Sequence, residues 1–335
     1  MQLKTGILLV NLGTPDSPSV PDVRKYLKEF LMDERVIDIP VVQRNLLVKG
    51  IIAPFRAPKS AKLYAQIWNE KGSPLLSFGQ LLKIKLQNKL GANYLVELAM
   101  RYQTPSIKNG LDILRKANCG KIIVVPLFPQ YSSAANGSVV EKVMDIIKKD
   151  AVFPELRFTG SFHDHPLFIK AFSEIGKTHR PENYDHVIFS FHGLPERQIT
   201  KALPENNCLS STCCNNLTPN NHLCYRAQCF ATARAIATTL NIPEDSYTVC
   251  FQSRLGKTPW IKPYSDKVIE DLASKGVKKI LAFSPAFVAD CLETIYEIGI
   301  EYDTIFKEHG GEKVQLVESL NDHPLFVECL AEMVS

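Results

Sequence analysis

No apolar stretch of this chain approaches the roughly 20 residues that a membrane-spanning helix needs, so a spanning segment is not expected. Residues 1–30 lack the basic n-region, apolar core and small-residue cleavage site of a secretory signal, which argues against an oxidising compartment. An excess of one charge is also missing. The 39 Lys and Arg stand against 35 Asp and Glu, and the resulting +4 is too small and too scattered for a nucleic-acid footprint. With 45% hydrophobic and 22% charged residues the composition is that of a globular protein, and 335 residues leave room for two domains of ordinary size.

Cysteine, by contrast, is concentrated. Five of the nine fall in "CLSSTCCNNLTPNNHLCYRAQC", residues 208–229, which otherwise reads as an Asn- and Thr-rich loop. Where disulfides are disfavoured, such a cluster more often binds a metal or an iron-sulfur centre than it holds stray thiols or a transient redox pair.

Short β-rich apolar runs alternate with amphipathic stretches along the whole chain. They are GILLVNL (6–12), YLVELAM (94–100), KIIVVPLF (121–128), LRFTGSF (156–162), HVIFSF (186–191), YTVCFQ (247–252), KILAFS (279–284) and VQLVES (314–319). Runs this continuous, separated by helical patterns, predict buried parallel strands. The expected fold is α/β, two similar Rossmann-like domains with four-stranded parallel sheets and a cleft between them, with function at the strands' carboxyl ends. The halves echo each other: HDHPLFIKAF and NDHPLFVECL match Asp164 with Asp322, and Lys121 matches Lys279 at the same offset. NLGTPD and FHGLPE match Gly13 with Gly193 and Pro15 with Pro195 at a longer offset, which a lid-like segment at about 35–75 accounts for. The domains are therefore expected over 1–160, carrying the lid, and 161–335, carrying a Cys-rich insertion at 204–229. The last helix is expected to pack back on the first domain.

Three constellations stand at the predicted strand ends. His192, in FSFHGLPERQ, places an imidazole after an apolar strand; a lone His is usually structural, but this position suits a base or metal ligand. Its counterpart in the first half is Leu12, an apolar wall. Next, Glu293, Glu297 and Glu301 are spaced four apart, so an α-helix would carry them as one acidic ridge. Such a stripe is usually a solvated face, yet Glu293 follows a strand end, and a row of oxygen ligands gives a divalent cation a path. Finally, Arg101, Tyr102, Tyr131, Ser132, Ser133 and Trp260 sit near other strand ends. Rings and an Arg suit a large planar ligand bearing carboxylates, although singly each residue reads as packing or a turn.

The motifs ILLVNLGTPDS, KGSPLLSFGQ, AMRYQTPSI, FPQYSSAANGS, FSFHGLPERQ, FQSRLGKTPWIKP and FSPAFVADCLETIYEIGIEY, in this order over about residues 5–325, resemble the ferrochelatase family. The resemblance implies two Rossmann-like domains around a porphyrin cleft and insertion of Fe²⁺ into protoporphyrin IX, the terminal step of haem biosynthesis. It makes His192 and Glu293 the metal-insertion pair, continued by Glu297 and Glu301 as an acidic path. It also puts Leu12, Tyr64, Arg101, Tyr102, Tyr131 and Ser132 at the porphyrin pocket. Cys291 occupies a position where some members carry His.

Residues 204–224 resemble an insertion found in microbial members that bind a [2Fe-2S] cluster, which implies four ligands among five cysteines: Cys208, Cys213, Cys214 and Cys224, with Cys229 as the alternate. Zinc on thiolates is the competing occupant. Two other functions stay open: a chelatase for coproporphyrin III or a reduced tetrapyrrole, and a non-catalytic iron or cluster carrier in which His192 is only structural. The expected partners are the porphyrin and ferrous iron, with no nucleic acid. A cytoplasmic location is expected, with peripheral membrane contact through the basic, apolar stretch at about 43–63.

Overall fold

The computed structural model describes residues 3–152, 154–203, 209–210, 212–254, 256 and 258–335. The chain forms two compact units. One comprises Met1–Phe128, Ser132–Gly160 and Leu330–Ser335, the other Pro129–Tyr131 and Ser161–Cys329. Relative to an expected division at 160/161, Pro129–Tyr131 joins the second unit. Leu330–Ser335 joins the first, where Arg157 donates to the Met333 carbonyl at 3.3 Å.

In the first unit, β1 (Thr5–Gly13), β2 (Tyr94–Tyr102), β3 (Lys121–Pro126) and β4 (Glu155–Phe158) form a parallel sheet ordered β2-β1-β3-β4. In the second, β5 (His186–His192), β6 (Tyr247–Gln252), β7 (Lys279–Phe283) and β8 (Lys313–Leu316) repeat that order as β6-β5-β7-β8. The sequence of Ile7, Leu8, Leu9 and Val10, none of them exposed, explains the arrangement: a strand apolar on both faces needs cover on both, which crossover helices supply. Leu8, Val10 and Val124 pack on Leu111, Leu114, Val139 and Val143 in one core; Ile188, Ile280 and Ala282 pack on Ile269, Ile298 and Phe306 in the other.

The duplication reaches into the turns. Gly13 follows the apolar run of β1 with φ 127°, and a Cβ there would lie 2.2 Å from the Tyr102 carbonyl oxygen, so only glycine fits. A Cβ on its counterpart Gly193 would lie 2.8 Å from the Gln252 carbonyl oxygen of β6, a looser approach but still inside van der Waals contact. The residue immediately after β2, Gln103, and the one after β6, Ser253, both take left-handed conformations, with φ of 67° and 64°.

The segment at 35–75 holds two helices, Val41–Asn45 and Ala53–Ile67, joined by a π-helix, Leu46–Ile52. Val41, Val42, Leu46, Ile51 and Phe55 along it are all exposed. Among the described residues no helix is long and apolar enough to cross a membrane.

Replacing Gly13 by Ala is expected to cost well over about 1 kcal/mol in urea unfolding, because the strain of a positive φ adds to the clash. Gly50→Ala, where a Cβ meets nothing within 4 Å, should stay within about 1 kcal/mol of the parent. Equal stability of the two variants would show that the strand-end turn is not under the constraint described.

Candidate active site

His192 is the last residue of β5, and the turn after it decides where its ring can go. The Gly193 N–H donates to the Gln252 carbonyl at 2.8 Å, so the chain stays pinned to β6 as it leaves the sheet. The half-buried ring lies beside Phe287, with centroids 6.3 Å apart, and its Nδ1 is 2.7 Å from the Gly193 carbonyl oxygen. A carbonyl only accepts, so Nδ1 carries the proton. When the ring is neutral, Nε2 therefore keeps its lone pair for a metal ion or a proton.

The acidic ridge lies on a π-helix, Leu292–Tyr302, and not on the expected α-helix. Hydrogen bonding from i to i+5 widens the turn, but residues four apart still fall nearly above one another, so the three glutamates keep a common side. They differ sharply in surroundings. Glu297 Oε2 accepts from Gln252 Nε2 at 2.9 Å and from Ser253 Oγ at 2.5 Å; Oε1 accepts from the Ser253 N–H at 2.9 Å and the Tyr302 hydroxyl at 3.2 Å. Burial holds this carboxyl above its ordinary range; the Ser253 and Gln252 bonds and the His192 charge oppose that shift without cancelling it, and Glu293 adds to it. Glu301, at the exposed end, is raised too, by partial desolvation and then by the charges of Glu297 and Asp266. Glu293 is half-buried, and its backbone carbonyl accepts from the same Gln252 amide at 3.0 Å.

Gln252 is therefore the hinge of the acidic side, and sequence reading had missed it. Its Oε1 accepts from Ser190 of β5 at 2.8 Å, so the amide is oriented and its two N–H groups face the glutamates. Ser253, Tyr302 and Tyr225, whose hydroxyl donates to the His192 carbonyl at 2.7 Å, were likewise not anticipated. An isolated polar residue after a strand carries no periodic signal. Cys291 is fully used as a cap of the π-helix: its N–H donates to Thr294 Oγ1 at 3.0 Å, and burial first, then Glu293, keeps its thiol protonated.

The residues assigned to a porphyrin pocket are placed unevenly. In the first unit Leu12 is half-buried near the end of β1. Tyr64 is buried, edge-on to the Tyr26 and Trp68 rings. Arg101 and Tyr102 turn inward, contrary to the expectation that they face a ligand. The Arg101 guanidinium binds Asp33 Oδ2 at 2.5 Å, and the fully buried Tyr102 donates to the same oxygen at 2.8 Å. The guanidinium is thus engaged within the unit, Nη2 on Asp33 and Nε on the Ser138 hydroxyl at 2.7 Å. Ser132 caps the short π-helix Ser133–Gly137 by accepting from the Ala135 N–H at 3.1 Å. A cavity of about 400 Å³ lies elsewhere in this unit, lined by Asp16, Trp68, Gln80 and Thr104 among others. In the second unit Tyr131 is half-buried, its N–H donating to Gln228 Oε1 at 2.6 Å.

Three of the clustered thiols come together. Cys213 and Cys214 sulfurs are 3.6 Å apart, Arg226 Nη1 donates to Cys214 Sγ at 3.1 Å, and Cys224 is the N-cap of the helix Tyr225–Thr239. A hydrogen bond from the Cys214 thiol, then the first-turn N–H groups of Ala227 and Arg226 and the Arg226 charge, pull Cys224 down to about 6 against the effect of burial. Cys229 is fully buried beside the Tyr225 hydroxyl, and burial raises its thiol, as the hydrogen bond with Cys224 and then burial raise that of Cys214. Cys208 lies outside the described residues. Among the described residues no three His, Cys, Asp or Glu side chains are already gathered around a metal-sized centre.

This architecture is that of the chelatases. The structure of SirB from Bacillus subtilis with Fe³⁺ superimposes over 99% of this chain and 94% of its own, with a TM-score of 0.51 at 14% identity. The sirohydrochlorin chelatase SirB from Bacillus subtilis subspecies spizizenii, in complex with cobalt, gives the same TM-score at 15% identity over the same shares. At that identity the likeness concerns the fold. The family follows from sequence: the ferrochelatase family model matches residues 4–335. A ferrochelatase of Legionella pneumophila (strain Lens) is 45% identical over 99% of both chains, and one of Coxiella burnetii (strain Dugway 5J108-111) is 43% identical over 98% of this chain and 93% of its own. The chain belongs to the ferrochelatase family, metal-inserting lyases of haem biosynthesis.

Because the Glu297 carboxyl is raised in the folded state from an ordinary 4.5, its contribution to stability is complete below that pH and is lost as pH rises through the raised value. Urea unfolding between pH 4 and pH 8 should show this loss in the parent and a flatter profile in Glu297→Gln. Parallel profiles would mean that burial of this carboxyl is not felt.

Proposed function

We propose that the protein inserts Fe²⁺ into protoporphyrin IX at the end of β5, with His192 and Glu293 meeting the metal and Glu297 and Glu301 carrying protons away. One observation supports this most: beside an imidazole whose Nε2 keeps its lone pair when neutral stands a carboxyl, Glu297, half-buried, held by four donors and raised above its ordinary range. Insertion replaces two pyrrole N–H protons by one dication, so charge balances when two protons leave. His192 Nε2 is suited to accept one, and a carboxyl with a raised pKa is suited to accept the other and pass it along the π-helix to the exposed Glu301. Metal and protons thereby use neighbouring groups on one face.

The thiol segment is read as a [2Fe-2S] site held by Cys208, Cys213, Cys214 and Cys224. Supporting this reading, the Arg226 guanidinium donates to Cys214 Sγ and Cys224 stands at the N-terminus of the helix Tyr225–Thr239, so a cation and helix N–H groups face the thiols. Such a cluster would supply a redox-labile crosslink between the loop and a helix start. Insertion of Fe²⁺ as Fe²⁺ transfers no electron, so the role assigned to it is structural or sensing. Inorganic sulfide and visible charge-transfer absorption would distinguish the cluster from zinc. A cytoplasmic enzyme touching a membrane surface is the accompanying reading. The exposed Val41, Val42, Leu46, Ile51 and Phe55 are accompanied on the same segment by exposed Lys49, Arg56, Lys59 and Lys62.

Anaerobic Fe²⁺ added with protoporphyrin IX should quench free-porphyrin fluorescence in the parent, and His192→Ala should slow that loss by at least about a hundredfold. Faster loss with coproporphyrin III would transfer the chemistry to that substrate. Metallation of neither porphyrin by a protein still carrying iron and sulfide would sink the proposal in favour of a carrier.

A further inference from the structure

The helix that begins where the thiol segment ends also reaches the strand end that carries His192. Asn221 Nδ2 donates to the Cys213 carbonyl at 3.0 Å and to the Asn216 carbonyl at 2.9 Å, and the Cys224 N–H donates back to the Asn221 carbonyl at 2.8 Å. The loop is thus closed on the first residue before the helix Tyr225–Thr239. In that helix's first turn two side chains reach out of the thiol segment. The Tyr225 hydroxyl donates to the His192 carbonyl at 2.7 Å. The fully buried Gln228 donates to the His222 carbonyl at 2.6 Å and accepts from the Tyr131 N–H at 2.6 Å, so one amide bridges the thiol loop and Tyr131.

We propose that Tyr225 and Gln228 are positioning residues that transmit filling of the thiol site to His192 and Tyr131. This rests on the readings of His192 as the metal-insertion residue and of the thiol segment as an iron-sulfur site, and visible absorption of the refilled parent checks the second before the His192 signals are compared. The physical chain is short. Ligands bound through Cys213, Cys214 and Cys224 fix where the helix begins, because Cys224 is its cap and its N–H is tied to Asn221. A shift of that cap moves Tyr225, the next residue, and the Tyr225 hydroxyl pulls on the backbone carbonyl of His192. Nδ1 of the same imidazole is tied to the next carbonyl, that of Gly193, so movement of this peptide turns the ring and redirects Nε2. Rotation changes the direction of a lone pair and leaves the binding surfaces in place, so the effect falls on turnover more than on porphyrin affinity. Tyr225 does not touch the metal in this scheme.

The test follows the His192 ring by ¹⁵N-histidine NMR, assigned with His192→Ala, in whole protein with its thiol site emptied or refilled by ferric iron and sulfide. In the parent, emptying the site should shift the His192 ring nitrogens and lower kcat for Fe²⁺ insertion into protoporphyrin by about fivefold, with KM changed less than about twofold. In Tyr225→Phe, which keeps the ring and loses the hydroxyl, kcat should already be low and emptying the site should no longer move the His192 signals. Cys224→Ser approaches from the other end: its His192 signals should stand at the emptied position and ignore iron and sulfide. Signals that respond equally in the parent and in Tyr225→Phe, or that fail to respond in the parent, would overturn the link. The shift comparison needs no turnover, so a fully active His192→Ala would remove the metal-insertion reading while the link is judged separately.

Discussion

Two donors from one residue, the N–H and the hydroxyl of Ser253, hold the Glu297 carboxylate, and the acidic side of the site depends on them. Both can point the same way only because Ser253 adopts a left-handed conformation at the end of β6. A serine there costs on the order of 1–2 kcal/mol. The return is a carboxylate with four donors around it, each bond to a charged group contributing about 1.5–3 kcal/mol. Withdrawing an ion from water costs several kcal/mol. The raised titration of Glu297 shows that burial outweighs these bonds. A carboxyl left in that balance exchanges protons readily, whereas one paired with Arg would stay ionised.

The first unit shows that alternative. After β2 the left-handed residue is Gln103, and its N–H also donates to a glutamate, Glu29, at 3.0 Å. Glu29, however, is exposed. The buried carboxylate of this unit is Asp33, and Arg101, Tyr102 and Ser138 converge on it. The corresponding strand end in the second unit, Phe251 and Gln252, carries no cation. A common strand-end turn has thus been used twice: in one unit beside a fixed ion pair that braces the fold, in the other to orient a titratable group. The difference lies in one side-chain choice, Arg101 against Phe251.

Much of this was legible in the sequence. Continuous apolar runs mark buried parallel strands because both faces need cover, and so all eight strands, the repeat of Gly13 in Gly193, and the position of His192 at a strand end could be read directly. Facing was less accessible. Arg101 and Tyr102 have the chemistry of a ligand pocket, but Asp33 sits in the unpatterned stretch LMDERV, and nothing there announces a partner for them. The π-helix at Leu292–Tyr302 was invisible because i→i+5 bonding changes the backbone without changing which residue types suit a buried helix. For the same reason Glu293 stood out from sequence as the nearest acid to the strand end, while the side chain held by the sheet is Glu297. Contacts from β6, distant in sequence, make that distinction.

The place of the Cys-rich insertion also has a physical logic. It joins the helix Glu196–Ala202 to the helix Tyr225–Thr239, and the chain before it is anchored to the loop after β6 by the Glu196 N–H on the Pro259 carbonyl at 3.0 Å. Lengthening a connection between anchored ends is inexpensive, about 0.6 kcal/mol for each doubling, so extra residues there disturb neither sheet nor core. Any group they bind must nevertheless attach close to His192, because the helix after the insertion starts with the residue that holds the His192 carbonyl. A site added at this connection therefore lies next in the chain to a residue in contact with the end of β5. One added at the loop before β4 or β8 would not, since those strands lie at the far edge of their sheets from β2 and β6.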